Sequence, residues 1–162
     1  LDFRRVLFRS LDLVPRRNVL KEMIRQNHEK VIVLVPFTGV LNALADELRK
    51  DWSVNIVDGS VSKGKRDRIF KEFRNNKDPH IMIAHPKCMS HGLDLCAASL
   101  IIWYAPHNKS TYNQACARID GSRQEVKIDV AHIYATDEER RAYKVIQEQG
   151  KMQDVLLNLA KG

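Results

Sequence analysis

Hydrophobic residues are arranged along this chain in two alternating patterns. Short continuous runs of apolar, often β-branched residues are typical of strands buried on both faces. Longer segments between them carry apolar residues at the spacing of one helix face. The runs predict strands at 31–35, 52–57, 80–84, 99–104 and 128–134, and the intervening segments predict helices at 15–27, 39–50, 62–75 and 110–119.

The ends of some helices can be read from single residues. Ser62 is the predicted N-cap of the helix that begins there. Thr136 and Glu139 have the spacing of a capping box, in which each residue satisfies a backbone N–H of the other, and they predict the start of a last helix. Gly150 is expected to break that last helix.

Strands that alternate with helices predict one α/β domain built around a mainly parallel sheet. Such units connect by right-handed crossovers, which place helices on both faces and give a three-layer α/β/α sandwich. Ligands of these sheets bind beyond the carboxyl ends of the strands. The segments in which to look for chemistry are therefore 36–39, 58–62, 85–95 and 105–111.

Composition narrows the class of protein without naming a function. The 162 residues are 44% hydrophobic and 29% charged, which is typical of a globular domain, and no apolar run is long enough to cross a membrane. Three cysteines without short paired spacing predict neither disulfides nor a zinc site. The net charge of +7 permits polyanion binding without proving it.

The first ten residues resemble a sequence of a different origin from the rest, although a real N-terminal strand is the alternative. Back-translated, residues 1–10 resemble the read-through of a sequencing adapter, and we interpret them as a sequencing or assembly scar. The domain is then expected to span 11–162, as a piece of a longer protein whose preceding part is missing.

Segment 85–95 directly follows a predicted strand and carries residues suited to a nucleotide. Lys87 and Ser90 are able to bind phosphates, Gly92 allows close backbone approach, and the Asp94 carboxylate accepts hydrogen bonds from hydroxyl groups such as those of a ribose. Taken alone, the same residues also fit an ordinary turn closed by an aspartate.

Segment 112–124 adds two arginines near the same predicted edge. Gln114 and Arg118 are four residues apart and share one helix face. Gly121 is suited to end that helix, with Arg123 and Gln124 just beyond it. Guanidinium groups bind phosphate oxygens in a fork, although a solvated basic helix end has the same pattern.

Four segments in this order resemble the second RecA-like lobe of superfamily-two helicases, nearest to Swi/Snf-type and phage helicases. Residues 33–37 are similar to motif IV of that family. Residues 58–60, with Arg66 and Phe73 after them, resemble its Asp-Gly-Ser stretch. Residues 90–95 resemble motif V, and 114–124 resemble motif VI. The resemblance covers roughly residues 15–140 and implies a RecA-like fold.

The resemblance implies roles at an ATP site between two lobes. Arg118 matches the motif VI arginine that reaches the nucleotide phosphates, and Asp94, two residues after Gly92, matches the carboxylate at the ribose. Gln114 and Gln124 match the glutamines that open and close motif VI. The second arginine of that motif is replaced by Gly121, so that either Arg123 takes its role or one arginine serves alone.

The resemblance also implies a nucleic-acid surface, two cofactors and an N-terminal lobe that this sequence does not contain. Motif IV approaches the nucleic-acid backbone at Pro36, Phe37 and Thr38, and motif V does so around Ser90 and His91, with Lys87 beside them. ATP and Mg²⁺ are the expected cofactors, with Mg²⁺ held by the missing N-terminal lobe. DNA is the expected nucleic acid, with RNA also possible. The protein is expected in the cytoplasm of a bacterium, either as a bacterial or as a phage protein.

Two other functions remain open at this stage. The glycine at position 121 also fits a degenerate helicase lobe that binds nucleic acid without catalysis. The alternation of strands and helices alone fits a flavodoxin-like domain for a small ligand. In either helicase interpretation this chain by itself is expected not to hydrolyse ATP.

Overall fold

Five short strands and five helices make up the described part of the chain. The computed structural model describes residues 13–90, 97–120 and 128–160. The strands are β1 (Val31–Leu34), β2 (Val54–Val57), β3 (Ile81–Ala84), β4 (Leu100–Trp103) and β5 (Asp129–His132). The helices are α1 (Leu13–Gln26), α2 (Thr38–Leu48), α3 (Lys63–Asn75), α4 (Lys109–Asp120) and α5 (Asp137–Ala160), and a short 3-10 helix spans Pro86–Ser90.

All pairings in the sheet are parallel, in the order β2-β3-β1-β4-β5. The central strand β1 pairs with β3 on one side and with β4 on the other, so that Val31 lies opposite both Ile81 and Leu100. Every residue of β1 and β3 is buried, as their continuous apolar runs predict. The predicted parallel α/β sheet is confirmed.

Helices cover both faces of the sheet, which confirms the three layers. Val31 and Val33 face one side, where they pack with Leu20 of α1 and Leu44 of α2. The alternate residues of β1 face the other side, where α3, α4 and α5 supply the partners: Phe73, Tyr112, Ala115, Tyr143 and Ile146. The period-two alternation of a strand thus divides the apolar residues between two cores.

Both predicted helix caps are present, one of them in altered form. The backbone N–H of Lys65 donates to Ser62 Oγ at 3.4 Å, and that of Glu139 donates to Thr136 Oγ1 at 3.2 Å. The Glu139 carboxylate accepts the N–H of Ala135, at 2.7 Å, and also meets an arginine of α1. Glu139 therefore joins the helix start to the rest of the domain.

The expected break of the last helix at Gly150 is wrong. Helix α5 runs from Asp137 to Ala160 and contains Gly150 in its interior. A glycine in this position keeps its backbone N–H and costs only about 1 kcal/mol relative to alanine, unlike proline. The helix-forming residues on both sides offset that cost.

A buried ion pair fastens α1 to the opposite end of the chain. Arg16 Nη2 lies 2.5 Å from Glu139 Oε2, and Arg16 Nη1 donates to the Tyr104 carbonyl oxygen at 2.7 Å. The two charged residues are only 2% and 6% exposed. Three elements that are distant in sequence, α1, the end of β4 and the start of α5, therefore meet at one arginine.

Candidate functional site

The carboxyl ends of β1 to β4 form one continuous rim. The N–H of Val35 donates to Ala84, that of His85 to Val57, and that of Tyr104 to Leu34, each at 2.9 Å. These bonds extend the ladders one residue beyond the strands and keep the turns after them aligned. The segments that the sequence selects for chemistry therefore lie side by side.

The imidazole of His85 joins the turn after β1 to the exit of β3. Its Nε2 lies 3.1 Å from the Pro36 carbonyl oxygen, and its Nδ1 accepts the N–H of Lys87 at 3.2 Å. Because Nδ1 accepts, the ring proton resides on Nε2 and is donated to Pro36. Burial lowers the pKa of His85, which favours this neutral form.

A second histidine, His107, stands next to His85 at the rim. The two ring centroids are 5.9 Å apart in an edge-to-face arrangement. Burial lowers the pKa of His107, and the neighbouring His85 and Lys87 lower it further. Within the described residues the buried Nε2 of His107 has no hydrogen-bond partner.

The turn after β2 is shaped by its own aspartate. Asp58 Oδ1 accepts both the N–H of Ser60, at 2.9 Å, and its hydroxyl, at 2.5 Å. The hydroxyl bond, followed by the backbone bond, lowers the pKa of Asp58, so the carboxylate is ionised at neutral pH. Arg66 Nη2 donates to the Val61 carbonyl oxygen at 3.3 Å. This aspartate therefore has a local structural role in the turn.

The predicted nucleic-acid contacts of motif IV lie at the start of α2. Pro36 and Phe37 are partly buried, whereas Thr38 is exposed. The N-cap position, Phe37, supplies no side-chain hydrogen bond, so among the described residues its side chain does not cap the first N–H groups of α2. A Cβ added to Gly39 would meet no atom of the described residues within 4 Å.

The predicted ATP-site residues are only partly described. Gln114 lies exposed on α4, and Arg118 follows one turn later on the same helix. Helix α4 packs against the 3-10 helix Pro86–Ser90, which holds the exposed Lys87. Outside the described residues lie His91, Gly92, Asp94, Arg123, Gln124 and the side chains of Ser90 and Arg118, so their predicted approach to one another stays a prediction.

Two histidines that lie at the rim were not selected in the sequence analysis. His85 and His107 lie in the segments selected for chemistry, and each stands within a few residues of the end of a strand. That position was the available signal. The double hydrogen bond of His85 has no sequence signature, since it depends on which strand lies beside β3.

A separate cleft, of about 470 Å³, lies at the opposite, amino edge of the sheet. Its polar groups largely satisfy one another: Ser53 donates to Asp78 at 2.6 Å, and the Arg25 guanidinium stacks over the Trp52 ring at 5.8 Å. Being far from the rim, this cleft is not the candidate site.

Metal and membrane features can be stated for the described residues alone. No group of three or more His, Cys, Asp or Glu side chains converges there on a possible metal position. In the same residues, no helix combines the length and the apolar character that a membrane span requires.

The histidines predict that mild acid weakens the fold. Burial lowers the pKa of His80, His85, His107 and His132. In the unfolded chain these rings take up protons as the pH falls through about 6.5. The folded state resists that uptake, so the free energy of unfolding should fall between pH 7.5 and 5.5. Urea denaturation at the two pH values measures the change.

A pair of variants assigns that pH dependence. His132→Gln removes a ring whose Nε2 lies 2.8 Å from the Tyr112 hydroxyl, and it should flatten the dependence. His28→Gln, which removes an exposed ring instead, is the control variant. Carboxylates with lowered pKa, such as Asp58, lose their contribution only at lower pH, below about 4. Equal stability at pH 7.5 and 5.5 would contradict the prediction.

Comparison with known proteins gives this geometry a family. Residues 15–120 match the model of the helicase conserved C-terminal domain. An uncharacterized ATP-dependent helicase of Mycoplasma genitalium is 30% identical over 146 residues, which cover 86% of this chain and 13% of that protein. The ATP-dependent helicase FUN30 of Saccharomyces cerevisiae is 28% identical over 153 residues, covering 86% of this chain and 14% of FUN30.

The solved structure of the C-terminal part of the Fun30 ATPase domain agrees with the fold. It superposes with a TM-score of 0.73 and 25% identity, covering 81% of this chain and 44% of that structure. The RecA-like architecture and the Swi/Snf-type resemblance are confirmed, whereas the likeness to phage helicases stays a prediction. The chain spans about 13% of the length of its M. genitalium relative.

Proposed function

Since this chain belongs to the helicase conserved C-terminal domain family, we propose that it is the second motor lobe of an ATP-dependent DNA translocase. In this proposal ATP lies between this lobe and an N-terminal RecA-like lobe that holds Mg²⁺. The observation that carries it is the packing of α4, the helix of Gln114 and Arg118, against the 3-10 helix at the rim. That packing supports an approach of motif VI to motif V.

Arg118 is the proposed source of positive charge at the transferred phosphoryl group. Charge on that group is spread over its oxygens in the transition state, and a guanidinium stabilises it without any proton transfer. Gly92 and Asp94 would contact the ribose side of the nucleotide, with Gln114 and Gln124 beside them. Arg123 would take the role of the second arginine, which Gly121 does not provide.

The proposed path of the nucleic acid follows the turn after β1 and the loop after β3. The uncapped start of α2 offers N–H groups to a backbone phosphate, which is the usual chemistry of a helix N-terminus. Pro36, Phe37 and Thr38 form this turn, and Lys87, Ser90 and His91 belong to the loop. His85 ties the turn to the loop through both ring nitrogens. We infer that movement of the turn would thereby be transmitted to the loop.

Replacing the glycine at the start of α2 should change stability and nucleic-acid binding in opposite directions. Gly39→Ala should raise the free energy of unfolding by about 0.5–1 kcal/mol, because alanine is the better helix former and its Cβ meets no described atom within 4 Å. The same methyl group should weaken DNA binding if a phosphate approaches the backbone there. Urea denaturation and fluorescence anisotropy with a single-stranded DNA measure the two effects.

Asn42→Ala is the matched control for that prediction. Asn42 is exposed on the same helix, one turn further from the N-terminus, and its replacement also improves helix propensity. It should stabilise the fold and leave DNA binding unchanged. Unchanged binding by Gly39→Ala as well would remove the start of α2 from the proposed path.

The motor proposal is tested by measuring DNA-stimulated ATP hydrolysis of a protein that carries both lobes, with and without Arg118. The second candidate function is a degenerate lobe that binds nucleic acid but takes no part in catalysis. Gly121 at the position of the second motif VI arginine favours it. That candidate requires DNA binding by a two-lobe protein that does not hydrolyse ATP.

A further inference from the structure

The positive charge of this chain is concentrated on one helix. Of the net charge of +7, the segment 63–77 contributes +5 and residues 1–10 contribute +2, which leaves the remainder neutral. The segment comprises α3 and the two residues that follow it. The basic residues in it are Lys63, Lys65, Arg66, Arg68, Lys71, Arg74 and Lys77.

Most cations of α3 lack the ion pairs within one helix that several cations of α2 and α5 form. On α2 and at its end, Arg49 pairs with Asp46 at 3.0 Å and Lys50 with Glu47 at 2.6 Å. On α5, Arg140 is paired in the same way. Among the described residues, by contrast, no ion pair is formed by Lys63, Lys65, Arg68, Lys71 or Lys77. The charge of these five residues is therefore not neutralised by ion pairs within this part of the protein.

The unpaired cations of α3 face away from the core. Phe73 is 2% exposed and marks the side of the helix that packs on the sheet. At about 100° per residue, Arg68 and Lys71 lie on the opposite side. Both are exposed, as is Lys65. From Lys63 to Arg74 the helix presents a mainly cationic strip about 16 Å long, in which Asp67 and Glu72 are also exposed.

The chemistry of the strip fits a phosphate backbone better than a protein surface. The exposed large hydrophobic residues of the described chain are Val14, Val19, Tyr134 and Val145, and none of them lies on α3. Protein interfaces rely on apolar and aromatic anchors at their centre. Nucleic-acid backbones are bound by Lys and Arg without such anchors, and a duplex 16 Å long carries roughly nine phosphate charges.

We propose that the outward face of α3 is a second nucleic-acid surface, which holds the backbone of duplex DNA independently of the rim. It begins close to the rim, since Ser62, the N-cap of α3, follows the turn of Asp58. It then runs along the helix toward the amino edge. The rim would thus engage the strand being moved, and α3 the adjoining duplex.

The test measures binding of this 162-residue chain to a 30-base-pair DNA by fluorescence anisotropy between 50 and 300 mM salt. The variant is Arg68→Gln with Lys71→Gln, which removes two exposed charges and keeps good helix formers. Loss of two phosphate contacts should lower the slope of log K against log salt by about 1.8, and weaken binding at least tenfold near 0.1 M salt.

The matched control is Arg49→Gln with Lys50→Gln, which removes the same net charge from exposed residues at the end of α2. It should weaken binding less than twofold. If the two variants weakened binding equally, net charge alone would explain the effect and the proposal would be overturned. An unchanged salt slope in the α3 variant would overturn it as well. Competition by poly-L-glutamate as effective as that by DNA, at equal charge, would also overturn it in favour of an acidic protein partner.

The outcome for α3 is distinguishable from the outcome for the motor proposal. Both double variants, the one on α3 and its control at the end of α2, leave the rim residues and Arg118 unaltered. If ATP hydrolysis proves independent of Arg118 while the α3 variant still loses salt-dependent binding, only the motor assignment fails. Retained dependence on Arg118 with no effect of the α3 variant would remove the second surface alone.

Discussion

Replacing Arg118 by alanine in a protein that carries both lobes is expected to lower DNA-stimulated ATP hydrolysis by about 10³-fold or more. Arginine residues that reach the transferred phosphoryl group contribute roughly 10³–10⁵ in rate. Alanine is the best helix former, so α4 and its packing against Pro86–Ser90 should persist. Steady-state ATP hydrolysis with saturating DNA measures the loss, and circular dichroism verifies that the fold is kept.

Three further arginine variants sharpen that experiment. Arg118→Lys should be nearly as impaired as the alanine variant, because an ammonium group cannot reproduce the planar fork. Arg140→Ala is the control: this arginine is exposed on α5, 3.1 Å from Asp137, and activity should stay within twofold. Arg123→Ala decides whether a second arginine acts on the phosphates. The rate of ATP hydrolysis should fall in this variant only if Arg123 replaces the arginine that is missing at Gly121.

Hydrolysis by Arg118→Ala within threefold of the unaltered protein would contradict the motor assignment. Such a result would place the guanidinium away from the phosphates, since a group that stabilises the transition state cannot be removed without a large cost in rate. Failure of the unaltered two-lobe protein to hydrolyse ATP at all would instead support the degenerate lobe.

Local elements were predictable because their signal lies in neighbouring residues. The continuous apolar run at 31–35 predicted a strand buried on both faces, and β1 is such a strand. The helix predicted at 110–119 spans Lys109–Asp120. A periodicity of two or 3.6 is a direct consequence of backbone geometry, so it survives whatever the strand order is. The rim position of segments 58–62 and 85–90 followed from the same logic.

Contacts between distant residues were not predictable in this way. The partners of His85 and Arg16 are separated from them by 49 and 123 residues. Their meeting depends on the order β2-β3-β1-β4-β5, and right-handed crossovers narrow that order without fixing it. In the sequence, Arg16 is one more polar position of a predicted helix, and nothing near it indicates that it is only 2% exposed. These contacts are set by the tertiary topology, which the local pattern of residues does not specify.

Arg16 provides the second large expected effect, this time on stability. Arg16→Met keeps the aliphatic volume of the side chain but removes the partner of the Glu139 carboxylate, which is 6% exposed, and of the Tyr104 carbonyl oxygen. Breaking a buried pair by removing one partner costs about 3–5 kcal/mol, because the other charge stays buried without compensation. For a domain stabilised by roughly 5–15 kcal/mol, the loss should be plain in urea denaturation.

A double variant separates the ion pair from the packing of α1. Glu139→Gln removes the charge but keeps an oxygen that can accept the Ala135 N–H. Arg16→Met combined with Glu139→Gln should therefore be more stable than Arg16→Met alone, by about 1 kcal/mol or more. Arg140→Met is the surface control, since that arginine side chain is 61% exposed, and it should cost less than about 0.5 kcal/mol. If Arg16→Met cost no more than this control, the pair would not fasten α1 to the lobe, and the hold on α1 would have to come from apolar packing such as that of Leu20 and Ile24.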